Sequence, residues 1–155
     1  MKQKKRILAV LLSLCILAAG PAAFAADLQS AGDGVVVLQS TLPDGSVVPY
    51  TMYIATTRTT IRSSGSNTIS YTLNMSTTRN VKAYCYATLQ RYAGNDVWTN
   101  ASDTRYYEEY NCNEFYVKDS VSNLPSGQYR VVVDYYAELN GYTDYVYSTS
   151  SNYYL

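Results

Sequence analysis

The 155-residue sequence contains no histidine. That absence removes Ser-His-Asp and Cys-His nucleophilic mechanisms and the commonest transition-metal ligand. There is no phosphate-cradling glycine loop of the Walker or dinucleotide type. Beyond Lys2, Lys4, Lys5 and Arg6 there is no cluster of basic residues, so no basic face is available to neutralise phosphates and nucleic acid is not an expected partner. Cysteine is scarce, at three, and there is one tryptophan and there are two phenylalanines. Helical periodicity is absent from Asn67 onward.

What is present begins with an export signature. The four basic residues precede an uncharged apolar run from Ile7 to Ala19, a Gly20-Pro21 breaker and the tripeptide Ala23-Phe24-Ala25. This is the charged, apolar and small-x-small order of a secretory signal peptide. The run is shorter than the roughly 20 apolar residues of a membrane span, so residues 1–25 are expected to be cleaved. Cys15 follows Leu14 inside the run, which does not fit a lipoprotein cleavage site. Leu124-Pro125-Ser126-Gly127 lacks the threonine and tail of a wall-sorting signal. Free release outside the cell is the expectation.

Cleavage leaves 130 residues, a common size for one domain. Four of twelve basic residues depart with the leader and none of the twelve acidic ones, so the remainder carries eight against twelve, a net charge of −4. Two cysteines stay, Cys85 and Cys112. An even pair in an exported chain favours a disulfide, which would contribute about 3 kcal/mol in the chain-entropy model. The alternative is two buried thiols acting as small apolar residues.

The dominant period is two. Ile69, Tyr71, Leu73 and Met75 form one apolar row; Val81, Ala83, Cys85, Ala87 and Leu89 form a second, after an expected turn at Thr77 to Asn80. Ala93-Gly94-Asn95-Asp96 is turn chemistry leading into Val97-Trp98-Thr99, a hairpin partner. Trp98 reads as a core or sheet-edge plug before a ligand stacker. From Thr104 to Val117 the parity conflicts: Tyr106, Tyr110 and Cys112 share one face, Tyr107, Phe115 and Val117 the other. A bulge near Asn111 to Asn113 reconciles them. Tyr129, Val131, Val133, Tyr135, Ala137 and Leu139 make the cleanest row, and Asn140-Gly141 predicts a hairpin into Thr143 to Ser148. Residues 26–50 read as a flexible leader or a hairpin around Pro43-Asp44-Gly45, and 51–155 as the domain. Short strands at regular intervals predict an antiparallel β-sandwich of about seven strands.

The run from Leu124 through Pro125, Gly127 and Tyr129 to Val133 resembles the tyrosine corner of fibronectin type III and immunoglobulin-like sandwiches. The resemblance implies an immunoglobulin-like fold in which the Tyr129 hydroxyl bonds back to nearby backbone. The arrangement also resembles small signal-bearing β-sandwich proteins of Gram-positive bacteria, spanning about Thr51 to Ser150. That likeness implies a secreted location and no activity, since the sandwich hosts many functions.

Catalysis would have to rest on carboxylates: Asp103, Glu108, Glu109 and Glu114. Glycoside hydrolysis needs two carboxyls facing across a cleft, and adjacent Glu108 and Glu109 on a strand point to opposite faces. A carboxylate-dependent hydrolase is therefore the lesser alternative, and no catalytic residue, metal ligand or cofactor is assigned. A calcium loop at Asn95-Asp96 has no recognised spacing behind it.

Tyrosine is abundant instead: eighteen, all from Tyr50 onward. If the strand of Cys85 neighbours the strand of Tyr129, the outward-facing Tyr84, Tyr86 and Tyr136 share one surface, joined by Tyr145 and Tyr147, or by Val146 in the other register. Tyrosine forms strands well and packs cross-strand with its hydroxyl wet, which explains the composition without a ligand. The functional alternative is an aromatic platform for an extracellular protein partner or, second, for carbohydrate.

Overall fold

The computed structural model describes residues 37–48 and 51–155. The leader over 1–25 and the stretch 26–36 lie outside the described residues. The described chain is all-β, without a helix, in one antiparallel, curled sheet of half-barrel form. The strands are β1 (Val37–Thr41), β2 (Val47–Val48), β3 (Ile54–Ser63), β4 (Ile69–Gly94), β5 (Val97–Asn100), β6 (Arg105–Val121), β7 (Gln128–Leu139), β8 (Tyr142–Thr149) and β9 (Tyr153–Tyr154).

The strand β4 organises everything else. At 26 residues it exceeds the usual strand length several-fold. Its long partner β6 pairs with it from Ile69↔Val121 to Ala87↔Arg105, so β6 occupies one edge of both halves. On the other edge β3 pairs with the first half, Ile69 to Thr77, and β7 with the second, Lys82 to Arg91. Beyond β7 follow β8 and then β1 and β2. The described strands thus make one continuous antiparallel sheet, bent across its long strands.

The fold line runs through Thr77 to Asn80, the segment expected to be a turn. No reversal occurs there: the strand continues, with a register shift between Ser76 and Val81. Thr77 donates from its hydroxyl to Arg79 O at 2.7 Å, and the Thr78 amide bonds Tyr53 O at 2.8 Å. A polar Thr-Thr-Arg-Asn run can thus bulge outward and bend the strand while both apolar rows keep the same parity. A second shift between Val81 and Ala83 faces Asn111, whose φ is 55°. This bulge resolves the parity conflict on β6, burying Phe115 while exposing Tyr106 and Tyr110.

The concave side holds the core: Ile69, Tyr71, Leu73, Met75, Val81, Ala83, Cys85, Ala87 and Leu89 from β4, and Tyr129, Val131, Val133, Tyr135 and Ala137 from β7, with Val146 from β8. Leu139, the last residue of the β7 row, is only partly buried. Folding lays β3 over β7 and β8, and polar bonds fasten the layers. Tyr135 Oη lies 2.9 Å from Thr59 Oγ1 and donates to Arg58 O. The fully buried Asp144 carboxylate accepts from the amides of Tyr53 at 2.5 Å and Ile54 at 2.9 Å.

Asn140 and Gly141, at φ 52° and 82°, join β7 to β8 through the left-handed pair that a two-residue hairpin needs. Tyr129 donates to Pro125 O at 2.5 Å, the bond that defines a tyrosine corner. Residues 37–48 form the hairpin of β1 and β2, and β1 pairs with β8.

The disulfide expectation is corrected. Both cysteines are free thiols. Register places Cys112 opposite Val81 and Cys85 opposite Tyr107. Val81 and Cys85 are four residues apart on β4, about 13 Å along a strand, well beyond the span a disulfide bridges. Cys85 is fully buried, and burial pushes its thiol pKa up to about 12; it is a small core residue.

Candidate functional site

The convex face of the second half is built from cross-strand rows. Residues directly opposite on antiparallel strands share a face, so Glu108, Tyr84, Tyr136 and Tyr145 form one row across β6, β4, β7 and β8. The adjacent row is Tyr106, Tyr86, Asp134 and Tyr147. Val146 points the other way, into the core. Tyr145 and Tyr147 are therefore the outward residues of β8.

Four of the five tyrosines anticipated from the sequence join one ring cluster, and Tyr106 completes it. Tyr84 stacks on Tyr136 with centroids 4.8 Å apart and planes within 5°. Tyr86 meets Tyr84 and Tyr136 edge-on at 6.3 and 6.0 Å. Tyr106 lies 5.1 Å from Tyr86, and Tyr145 lies 5.2 Å from Tyr136. The fifth, Tyr147, occupies the second row beside Asp134. Tyr86 and Tyr106 are 41% and 45% exposed, so the cluster's open end is at β4 and β6.

Charged groups thread the rings. Lys82 sits 3.8 Å from Glu108 and 3.6 Å from Glu138, and over the Tyr84 and Tyr110 rings at 5.0 and 5.5 Å. Tyr106 and Tyr110 donate to Glu108 Oε2 at 2.7 and 3.2 Å, and Tyr145 donates to Asp134 at 2.7 Å. At Tyr106 and Tyr145 these acceptors favour the protonated phenol. The bond to Glu108 lifts Tyr106 to about 12; burial, and then the nearby carboxylates, raise Tyr84 and Tyr145. With three carboxylates around one ammonium, the face is aromatic and net negative.

Alternation along β4 and β7 already turns Lys82 and Glu138 outward beside these tyrosines, whereas sequence alone does not place Tyr106 and Glu108 on this surface. The alternation Tyr106-Glu108-Tyr110 was legible, but the pairing of β6 against β4 that aims it at Tyr84 and Tyr86 was not. Among the carboxylates weighed for catalysis, Glu108 faces this cluster opposite Tyr84, Glu109 stands opposite Ala83, Glu114 opposite Ser76, and Asp103 lies in the loop before β6. The fold does not bring them together as a pair across a cleft. Asn95 and Asp96, at φ 51° and 60°, make the β4–β5 turn, and among the described residues no group of three or more possible metal ligands occurs.

Trp98 lies at the sheet edge, against Tyr92 at 5.2 Å and under the Arg130 guanidinium at 4.3 Å. Arg130 is held in turn by Gln90 at 3.0 Å. A cleft of about 320 Å3 opens beside them, lined also by Thr149, Ser150, Ser151 and Asn152. No family model, curated protein or solved structure matches the chain.

Proposed function

We propose that this protein is a secreted, non-enzymatic interaction domain that contacts an extracellular protein through the tyrosine face of β6, β4, β7 and β8. The observation that carries the reading is the ring packing itself. Tyr84 and Tyr136 occupy each other's faces, so the cluster presents ring edges and hydroxyls. A pyranose needs an open ring face, whereas a protein surface packs well against edges and fixed hydroxyls. The surrounding Glu108, Asp134 and Glu138 favour a partner that brings arginine or lysine to the aromatic patch. Export is supported by the leader pattern of residues 1–25.

We also read the fold as an immunoglobulin-like sandwich. The strand order supports this: β3, the first half of β4 and the second half of β6 correspond to an A-B-E sheet. The second half of β4, β7 and β8 correspond to C-F-G. The bond from the Tyr129 hydroxyl to Pro125 O, at the start of β7, also supports this reading. The departure is that β4 and β6 run unbroken through both layers.

Carbohydrate binding is the second reading, favoured by the Trp98 cleft, where an indole, a guanidinium and four small polar residues converge. The two readings separate in one experiment. The folded protein is titrated with a panel of polysaccharides while its fluorescence is followed, and in parallel is used to retain proteins from extracellular fluid. The protein reading expects no saturable quenching and retention that fails in a Tyr84→Ser, Tyr136→Ser variant of native circular dichroism. Saturable quenching by a polysaccharide, with retention unaffected by the variant, would overturn it.

A further inference from the structure

The first half of the sheet has a convex face of opposite character. Its rows are Arg62, Ser70 and Ser120, then Thr60, Thr72 and Lys118, then Arg58, Asn74 and Tyr116. The centre strand carries short polar side chains and the flanking strands carry long cationic ones. With strands about 4.8 Å apart and rows about 7 Å apart, Arg62 and Lys118 stand on either side of Ser70 and Thr72, within side-chain reach of a common point above them. The result is a cleft of about 550 Å3 whose lining includes Arg62, Ser63, Ser70, Lys118 and Ser120.

Two independent features of this cleft point to a ligand. Among the described residues neither Arg62 nor Lys118 has an ion-pair partner. Ser70 lines the cleft at 5% exposure, and its buried hydroxyl has no hydrogen-bond partner. A buried hydroxyl left unpaired is destabilising, so the unpartnered Ser70 hydroxyl, beside two free cations, has the character of a vacant donor. The one carboxylate at the rim, Asp119, is already engaged by Arg105 and Tyr107 and by the Ser120 amide at 2.6 Å. It adds little uncompensated negative charge.

We infer that this cleft binds a tetrahedral oxyanion, the sulfate or phosphate group of an extracellular ligand, between Arg62 and Lys118 with Ser70 donating from the floor. Arg62 supplies a planar fork of donors, Lys118 a point charge, and the serine a short neutral donor, the combination such anions take. The site is separate from the tyrosine face, on the other half of β4.

The test is a titration of the folded protein with inorganic sulfate and, separately, inorganic phosphate, against sodium chloride at equal ionic strength, read by backbone amide shifts and thermal midpoint. The expectation is saturable shifts at Arg62, Ser70 and Lys118 with one or both oxyanions and none with chloride. The tighter of the two identifies the ligand group. An Arg62→Gln, Lys118→Gln variant of unchanged fold should bind at least tenfold more weakly. Ser70→Ala should raise the midpoint without anion, because an unpaired hydroxyl is gone, and should reduce the gain that the anion confers. Equal responses to oxyanion and chloride, or binding that survives the double variant, would overturn the inference.

Discussion

Tyr135 and Tyr136 are adjacent in sequence and opposite in role. Tyr135 is fully buried, and its hydroxyl bridges to Thr59 and to Arg58 O on the facing layer. Tyr136 stands outside, stacked on Tyr84 in a cluster whose hydroxyl acceptors are solvent-side carboxylates. The contrast extends to the whole set: Tyr129 and Tyr135 fasten backbone to backbone, while Tyr84, Tyr86, Tyr106 and Tyr145 fasten to one another. Inside, each phenol defines where the chain goes. Outside, the phenols build a surface that the fold does not depend on in the same degree. One residue type therefore does two jobs, and the sheet's period of two sorts them.

The sharpest way to break this comparison is to truncate both neighbours. Tyr135→Ala removes a fully buried ring, a change that costs about 3–5 kcal/mol in a packed core. Tyr136→Ala removes cross-strand ring contacts worth on the order of 1 kcal/mol. Urea unfolding midpoints of the two variants should differ accordingly, and equal losses would mean the outer cluster is core by another name.

Asp144→Ala comes next, since it strands the half-buried amide of Tyr53 and the buried amide of Ile54, and should cost about 2–4 kcal/mol. Chemical denaturation reads it, and the loss should concentrate in β3, visible as faster amide exchange there. Tyr129→Phe removes only the corner bond to Pro125 O and should cost about 1 kcal/mol at the same unfolding assay.

The smallest effect is in acid. Burial alone would raise the Asp119 carboxyl, but hydrogen bonds from Arg105 and Tyr107 outweigh it and hold the group below its ordinary value. Its contribution is complete above about pH 4, the unfolded carboxyl's range, and is lost as pH falls through the lower folded value. An Asp119→Asn variant should therefore show a flatter acid limb than the wild type in stability measured from pH 6 down to pH 2. An unchanged slope would place the acid sensitivity elsewhere, at Glu108 or Asp44, whose carboxyls are also held low.

The inner tyrosines were legible in sequence because alternation alone sorts residues by face. The rows from Ile69 to Met75, Val81 to Leu89 and Tyr129 to Ala137 are all buried as their parity dictates. Asn140-Gly141 and the Tyr129 corner carried their own local chemistry. Pairing between distant strands carries no such local signal. Thr77 to Asn80 has the composition of a turn, and only the pairing of β6 across both halves shows it to be a bend within one strand. The same pairing sets Cys112 against Val81, which separates the cysteines, and sets Tyr106 against Tyr86, which completes the ring cluster. Asp144 gave no signal, because a lone aspartate in an alternating strand reads as solvated until the facing layer supplies its two amides.

The proposed role of the outer cluster as a contact surface is tested most directly by tyrosine nitration, mapped by mass spectrometry on the free protein and on its complex with a retained extracellular partner. Tyr116 and Tyr154, 61% and 76% exposed and outside the cluster, serve as internal references. Tyr86 and Tyr106 should lose reactivity in the complex while Tyr116 and Tyr154 keep theirs. Unchanged reactivity at Tyr86 and Tyr106, with protection at Tyr116 or Tyr154, would contradict it.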